Sequence, residues 1–204
     1  MQVDFAVELG RDDEVLDFPW STPDGACSYH DLKRHPELIL YIDEATRVLE
    51  LGQFLEGVNA PEGLFETAKC DVWSPTHMNP EEKIFGAKLK FCSYVDLLFT
   101  SETSRFSFPE HERFAQRITD LLKRVPEIPA SAEFLVRRCY YRQDGPEPRS
   151  GFYVTHYLFG YGDDEMSARQ QWAIGMKLTE NALRQISADP AGEKRSHPEI
   201  STGS

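Results

Sequence analysis

Apolar and polar positions are most regularly arranged between Ala132 and Ser187. Ala132–Arg142 (AEFLVRRCYYR) and Gly151–Gly160 (GFYVTHYLFG) are rich in β-branched and aromatic residues. Gln143–Ser150 between them carries Gly145, Pro146 and Pro148, so the stretch predicts a strand, a turn and a returning strand. In the returning strand Phe152, Val154, His156 and Leu158 form the more apolar set and are expected to face the core, with Tyr153, Thr155, Tyr157, Phe159 and Tyr161 on the other side. After Gly162, Asp163 is placed to cap a helix. Its apolar residues Trp172, Met176, Leu183 and Ile186 recur at helical spacing to about Ser187.

Upstream, Val3, Phe5 and Val7 alternate over residues 2–9 and predict a first strand. Gly10–Gly25 reads as an ordered loop pinned by Leu16, Phe18 and Trp20, with a Pro-Asp-Gly turn at its end. Pro36–Val58 carries a broad apolar stripe through Leu38, Ile42, Ala45, Leu49 and Phe54 and predicts one major helix. Leu64–Trp73 reads as a strand, followed by a loop bracketed by Pro75 and Pro80. Lys83–Thr100 is extended for about seventeen residues, longer than most strands, so a break near Gly86 or Ser93 is expected. Ser107 with Glu110, and Pro109 between them, predicts a capping-box start to a helix that Pro126 stops.

Together these elements predict an α+β fold, an antiparallel sheet of about five strands with three main helices layered on one face. The other face is then a candidate for ligand contact or for a homodimer. Helix, strand, strand occurs at 36–100 and again at 108–160, each first strand carrying a cysteine after a basic residue (Lys69-Cys70, Arg138-Cys139), which suggests a duplicated αββ unit. Residues 1–187 are expected to form a single α+β domain, and 188–204, without periodicity, a disordered tail.

Composition narrows the class. A chain of 204 residues with 40% hydrophobic and 12% aromatic content suits a globular fold. No apolar run approaches the roughly 18 residues of a membrane span, and the N-terminus lacks a basic start followed by an apolar stretch. A cytoplasmic location is expected. Cys27, Cys70, Cys92 and Cys139 form no close-spaced pair and read as reduced thiols. The net charge is −12, and half of it lies in residues 1–25, where seven acids meet the single Arg11. That sign disfavours nucleic acid and anionic membranes and allows a basic protein partner.

Candidate chemistry is sparse. Tyr161-Gly162-Asp163-Asp164 resembles in its letters the metal-binding turn of RNA-dependent polymerases, with Asp96 as the upstream strand aspartate. Here the motif leads into a helix, and 204 residues leave no room for the flanking regions of such an enzyme, so capping is the expected role and metal binding a secondary one. Cys70, Cys92, Cys139 and His156 lack the close pairs of a structural zinc site, and core packing is expected for the cysteines. Cys139 with His156 is a candidate nucleophile pair. Arg137, Cys139, Tyr141, His156 and Tyr157 on the second hairpin are the ligand-binding candidates, since Tyr and Arg supply contact area and hydrogen bonds together. No Gly-rich phosphate loop, GxSxG or HExxH is present, which excludes the classes that need them. No cofactor is implied. The expected function is that of a non-catalytic binding protein, in one version an acidic, inhibitor-like partner of a basic protein. The alternative is a small-molecule enzyme or sensor with a pocket between sheet and helices.

Overall fold

The computed structural model describes residues 1–79, 81, 84–125, 127–142 and 147–189. Six strands form one sheet: β1 (Gln2–Glu8), β2 (Val15–Phe18), β3 (Phe65–His77), β4 (Leu89–Phe99), β5 (Ala130–Tyr141) and β6 (Arg149–Gly162). The helices are a 3-10 turn at Pro36–Tyr41, α1 (Asp43–Arg47), α2 (Leu49–Val58), α3 (Glu102–Arg105), α4 (Phe108–Leu122) and α5 (Glu165–Ala188). Among the described residues no helix is long and apolar enough to cross a membrane.

The strand order is β1-β5-β6-β4-β3, and β2 also pairs with β5. The class is α+β as expected, but the sheet is mixed and has six strands, not about five all antiparallel. The β3–β4, β4–β6 and β5–β6 pairs are antiparallel, whereas β1 and β2 both run parallel to β5. β1 lies along Ser131–Arg137 and β2 along Arg138–Tyr141, so one edge is built from two pieces. Alternation of side chains looks the same in either direction, so the sequence could not reveal the parallel pairing.

Helices α2, α4 and α5 cover one face, as expected. Val95, Leu97, Phe134, Val136, Val154 and Leu158 from the sheet pack there against Phe54, Phe114, Ile118 and Trp172. Trp172 is fully buried, and its Nε1 donates to Ser93 Oγ at 2.8 Å. α5 reaches this depth because β6 ends in glycines. A Cβ on Gly160 would stand 2.2 Å from the Trp172 nitrogen and 2.3 Å from the Ala168 oxygen.

Several local expectations are corrected. The cap of α5 is Asp164, one residue later than Asp163: its Oδ1 accepts from the Ser167 nitrogen (2.8 Å), and its nitrogen donates to Ser167 Oγ (3.2 Å). Ser107 begins α4 without a side-chain cap; its carbonyl instead accepts from the nitrogen of His111 (3.3 Å) and from Nδ1 of the same residue (2.9 Å). The single helix over 36–58 is three pieces, broken where Ile42 and Val48 are extended. Both breaks fall on β-branched residues, whose stiff side chains tolerate extended backbone well, and the continuous apolar stripe hides them. The extended region expected from Lys83 begins only at Leu89, after a turn with Phe85 and Gly86 at φ 52° and 68°, and the register shifts lie in β3 and not at Ser93. The stops and turns expected at Pro80, Lys83, Pro126 and 143–146, and the tail from 190 onward, lie outside the described residues; α5 itself runs through Ala188. Cys70 pairs with Val95, on the helix side, whereas Cys139 packs with Leu98 on the other, so the two cysteines are not equivalent positions.

Both outer edges are blunted by acids. The Phe5 nitrogen on β1 donates to Asp4 Oδ1 (3.0 Å), and the Val72 nitrogen on β3 donates to Asp71 Oδ1 (2.7 Å). One backbone donor on each outer strand is thereby taken by the preceding side chain and withheld from another strand.

Gly160→Ala is expected to destabilise the protein by about 3 kcal/mol or more, since strand or helix must move apart to admit one methyl group. Urea unfolding at equilibrium measures it; a loss under about 1 kcal/mol would mean that the strand–helix approach is not tight.

Candidate functional site

The sheet face turned away from the helices has two halves. One is roofed. Leu16 and Phe18 of β2 are buried against Leu98, Cys139, Tyr141 and Tyr153, with Trp20, Tyr29 and Phe106 packed around them. Tyr141 donates to the Phe152 carbonyl (2.8 Å) beneath the Arg105 guanidinium, which is 5.3 Å from its ring centre. Arg105 is ion-paired with Glu66, whose other oxygen accepts from the Tyr29 hydroxyl at 3.1 Å.

The other half carries a row of rings across three strands. Trp73 of β3 lies 5.8 Å from Tyr94 of β4, Tyr94 lies 5.8 Å from Tyr157 of β6, and Phe159 stacks 6.5 Å beyond Tyr157. Trp73 is 40% exposed and the other three are half-buried. The Arg137 guanidinium extends the row, 5.8 Å from the Tyr157 ring centre.

Arg137 sits where the two halves meet. It is nearly buried, and its Nε donates to Glu8 (2.8 Å) while Nη1 donates to Glu14 (3.0 Å) and to Thr155 Oγ1 (3.2 Å). Thr155 in turn donates to Asp96 Oδ1 at 2.7 Å. Asp96 is 2% exposed, and burial pushes its carboxyl up to about 7, against the lowering effect of the Thr155 hydrogen bond. The Tyr153 hydroxyl is buried beside this network without a hydrogen-bond partner among the described residues.

The sequence-derived candidates are therefore divided among three places. Arg137 and Tyr157 meet at the open half-face. Cys139 and Tyr141 are sealed under the roof, and burial raises the Cys139 thiol well above its ordinary value. His156 is on the helix side, stacked 4.8 Å from Phe134, with neither ring nitrogen hydrogen-bonded among the described residues and burial holding it down to about 3. Cys139 and His156 thus face opposite sides of the sheet and form no nucleophile pair. Asp163 is exposed, 4.0 Å from Lys88, and Asp164 serves as the cap. Asp96 is opposite Thr155, eight residues back along β6 from Asp163, roughly 26 Å at ~3.3 Å per residue, so the three aspartates do not converge. Among the described residues no group of three or more His, Cys, Asp or Glu is placed to hold a metal ion.

Sequence reasoning missed Glu8, Glu14, Thr155, Trp73 and Tyr94. The signal for Tyr94 and Asp96 was the alternation in β4, which puts them on one face; their partners follow only from the register Tyr94↔Tyr157 and Asp96↔Thr155. A separate cleft of 680 Å³ opens at the β3 edge, between residues 20–32, α1 and β3. No family model, curated protein or solved structure matches the chain.

An Asp96 carboxyl raised from 3.8 to about 7 favours the folded state fully below pH 4, and that contribution is lost as pH rises through 7. Asp96→Asn keeps the Thr155 acceptor and removes the titration. The stability of the variant relative to the parent should therefore rise from pH 4 to pH 8 by on the order of 4 kcal/mol. Parallel denaturation curves for the two proteins across that range would show that Asp96 ionises normally.

Proposed function

We propose that the chain is a non-catalytic interaction protein that covers a basic protein surface with the ring-bearing half of its open sheet face. The row Trp73–Tyr94–Tyr157–Phe159 carries this reading: half-exposed, contiguous aromatic residues are the side chains that anchor protein contacts. Asp71 and Glu133 stand on the same side as that row, and Glu14 borders it. A net charge of −12 favours a positively charged partner and opposes self-association, which would bring two such charges together. The acids of the N-terminal segment contribute less than their number suggests. Glu8 and Glu14 are paired with Arg137, and Asp17 with Arg142, so the sheet face and not that loop is the proposed contact. Four free thiols fit a reducing, cytoplasmic setting.

One observation favours a second reading, a small-molecule enzyme or sensor: a carboxyl near 7 beneath the same face is poised for proton exchange.

Parent protein and the Trp73→Ala/Tyr157→Ala double variant, used as paired baits, test the first reading. The parent is expected to retain a basic partner whose affinity falls as salt rises, and the variant to lose at least about tenfold in affinity. Asp96→Asn should leave that binding unchanged. Equal binding by parent and double variant removes the sheet face as the contact, and loss through Asp96→Asn alone moves the second reading ahead.

A further inference from the structure

The 680 Å³ cleft at the β3 edge has a composition of its own and lies within the usual size of small-molecule sites. Asp43 and Glu44, at the start of α1, stand on one wall, and Asp71 of β3 on the other. None of the three has an ion-pair partner among the described residues. Trp20, Tyr41 and Tyr94 also line the cleft, and Tyr41 is 72% exposed. Lys69, the one lysine of the cleft among the described residues, has its ammonium 5.4 Å from the centre of the Trp20 ring. The fold itself therefore holds an alkylammonium against this wall, by the attraction of a cation for an aromatic face.

We infer that the cleft binds an aliphatic di- or polyamine. Carboxylates brought to one cleft from two elements, α1 and β3, together with rings, match charges separated by a methylene chain: one ammonium against Asp43 and Glu44, the next against Asp71, and the stem along the rings. A compact divalent metal fits poorly, because its ligands must converge and these do not. An anion is repelled by all three acids. The cleft shares Asp71 and Tyr94 with the border of the proposed sheet-face contact, whereas Glu44 and Tyr41, also varied below, lie outside it.

Titration calorimetry with spermidine and with putrescine tests it, with MgCl₂ at matched ionic strength as the control. Spermidine should saturate a single site. Affinity should fall by about tenfold or more in Glu44→Gln/Asp71→Asn and by several-fold in Tyr41→Ala, which removes only an exposed ring. It should be unchanged in Glu112→Gln, which neutralises an exposed acid of α4. No saturable heat with either amine overturns the inference. So does an equal fall in Glu112→Gln, which would mean diffuse attraction to an acidic surface. Saturation by a short lysine peptide with spermidine silent overturns it in favour of a peptide site.

Discussion

A guanidinium almost out of water must be fully paired, because leaving a buried charge unmatched costs several kcal/mol. Arg137 is that group, and the first eighteen residues are arranged to satisfy it. Glu8 closes β1 and Glu14 immediately precedes β2, so the two carboxylates that meet Arg137 come from just before the interruption at residues 9–14 and from its last residue. The break in the edge strand is thus the place where the chain turns two acids towards one cation. Once past it, β2 extends the sheet and sets Leu16 and Phe18 beside Cys139 and Tyr141 in one buried cluster, against which Trp20, Tyr29 and Phe106 pack. The same guanidinium donates to Thr155, which donates to Asp96, so the N-terminal edge is tied through hydrogen bonds to the middle of the sheet.

This arrangement decides which surfaces stay available. The helix side is closed by apolar packing, and the roofed half of the other face is dry. Each outer strand has one backbone donor taken by an aspartate, Asp4 on β1 and Asp71 on β3. What is left is the ring-bearing half-face and the cleft beside β3, which share Tyr94 as their common boundary. An acidic chain that spends Glu8, Glu14 and Asp17 internally still presents unpaired acids at both places, and this sign is the property they have in common.

Much of the fold was legible because period-2 and period-3.6 patterns report which side of an element is buried. Val154, His156 and Leu158 were assigned to the core by alternation, and they lie in it. The α5 stripe through Trp172, Met176, Leu183 and Ile186 is buried as its spacing requires. What the patterns do not carry is direction, continuity or distant cover. Parallel pairing of β1 leaves no trace in alternation. Extended residues at Ile42 and Val48 interrupt a helix without interrupting its apolar stripe. Tyr141 looked like an exposed binding residue because nothing near it in sequence announces that Phe18, more than a hundred residues earlier, packs over it. The candidate site was half visible for the same reason: Arg137 and Tyr157 could be named from one hairpin, but their acidic and aromatic partners lie on other strands.

Asp96 and His156 show how burial of opposite chemistries on the two sides of a sheet shapes pH behaviour. Each is neutral when most comfortable, but neutrality lies at opposite ends of the scale. The Asp96 contribution is whole below pH 4 and lost as pH rises towards 7. The His156 contribution is whole above 6.5 and lost as pH falls towards 3, because the unfolded chain takes up the proton first. His111, held down to about 4 chiefly by burial, has the same sign as His156. Between about pH 4 and 6.5 two imidazoles oppose one carboxyl, so these groups together favour folding more as pH rises; the gain shrinks as the unfolded imidazoles lose their protons above 6.5 and ends as Asp96 itself ionises near 7. The best balance therefore falls near pH 7, and it follows from placing uncharged imidazoles on the helix side of the sheet and a protonated carboxyl on the other.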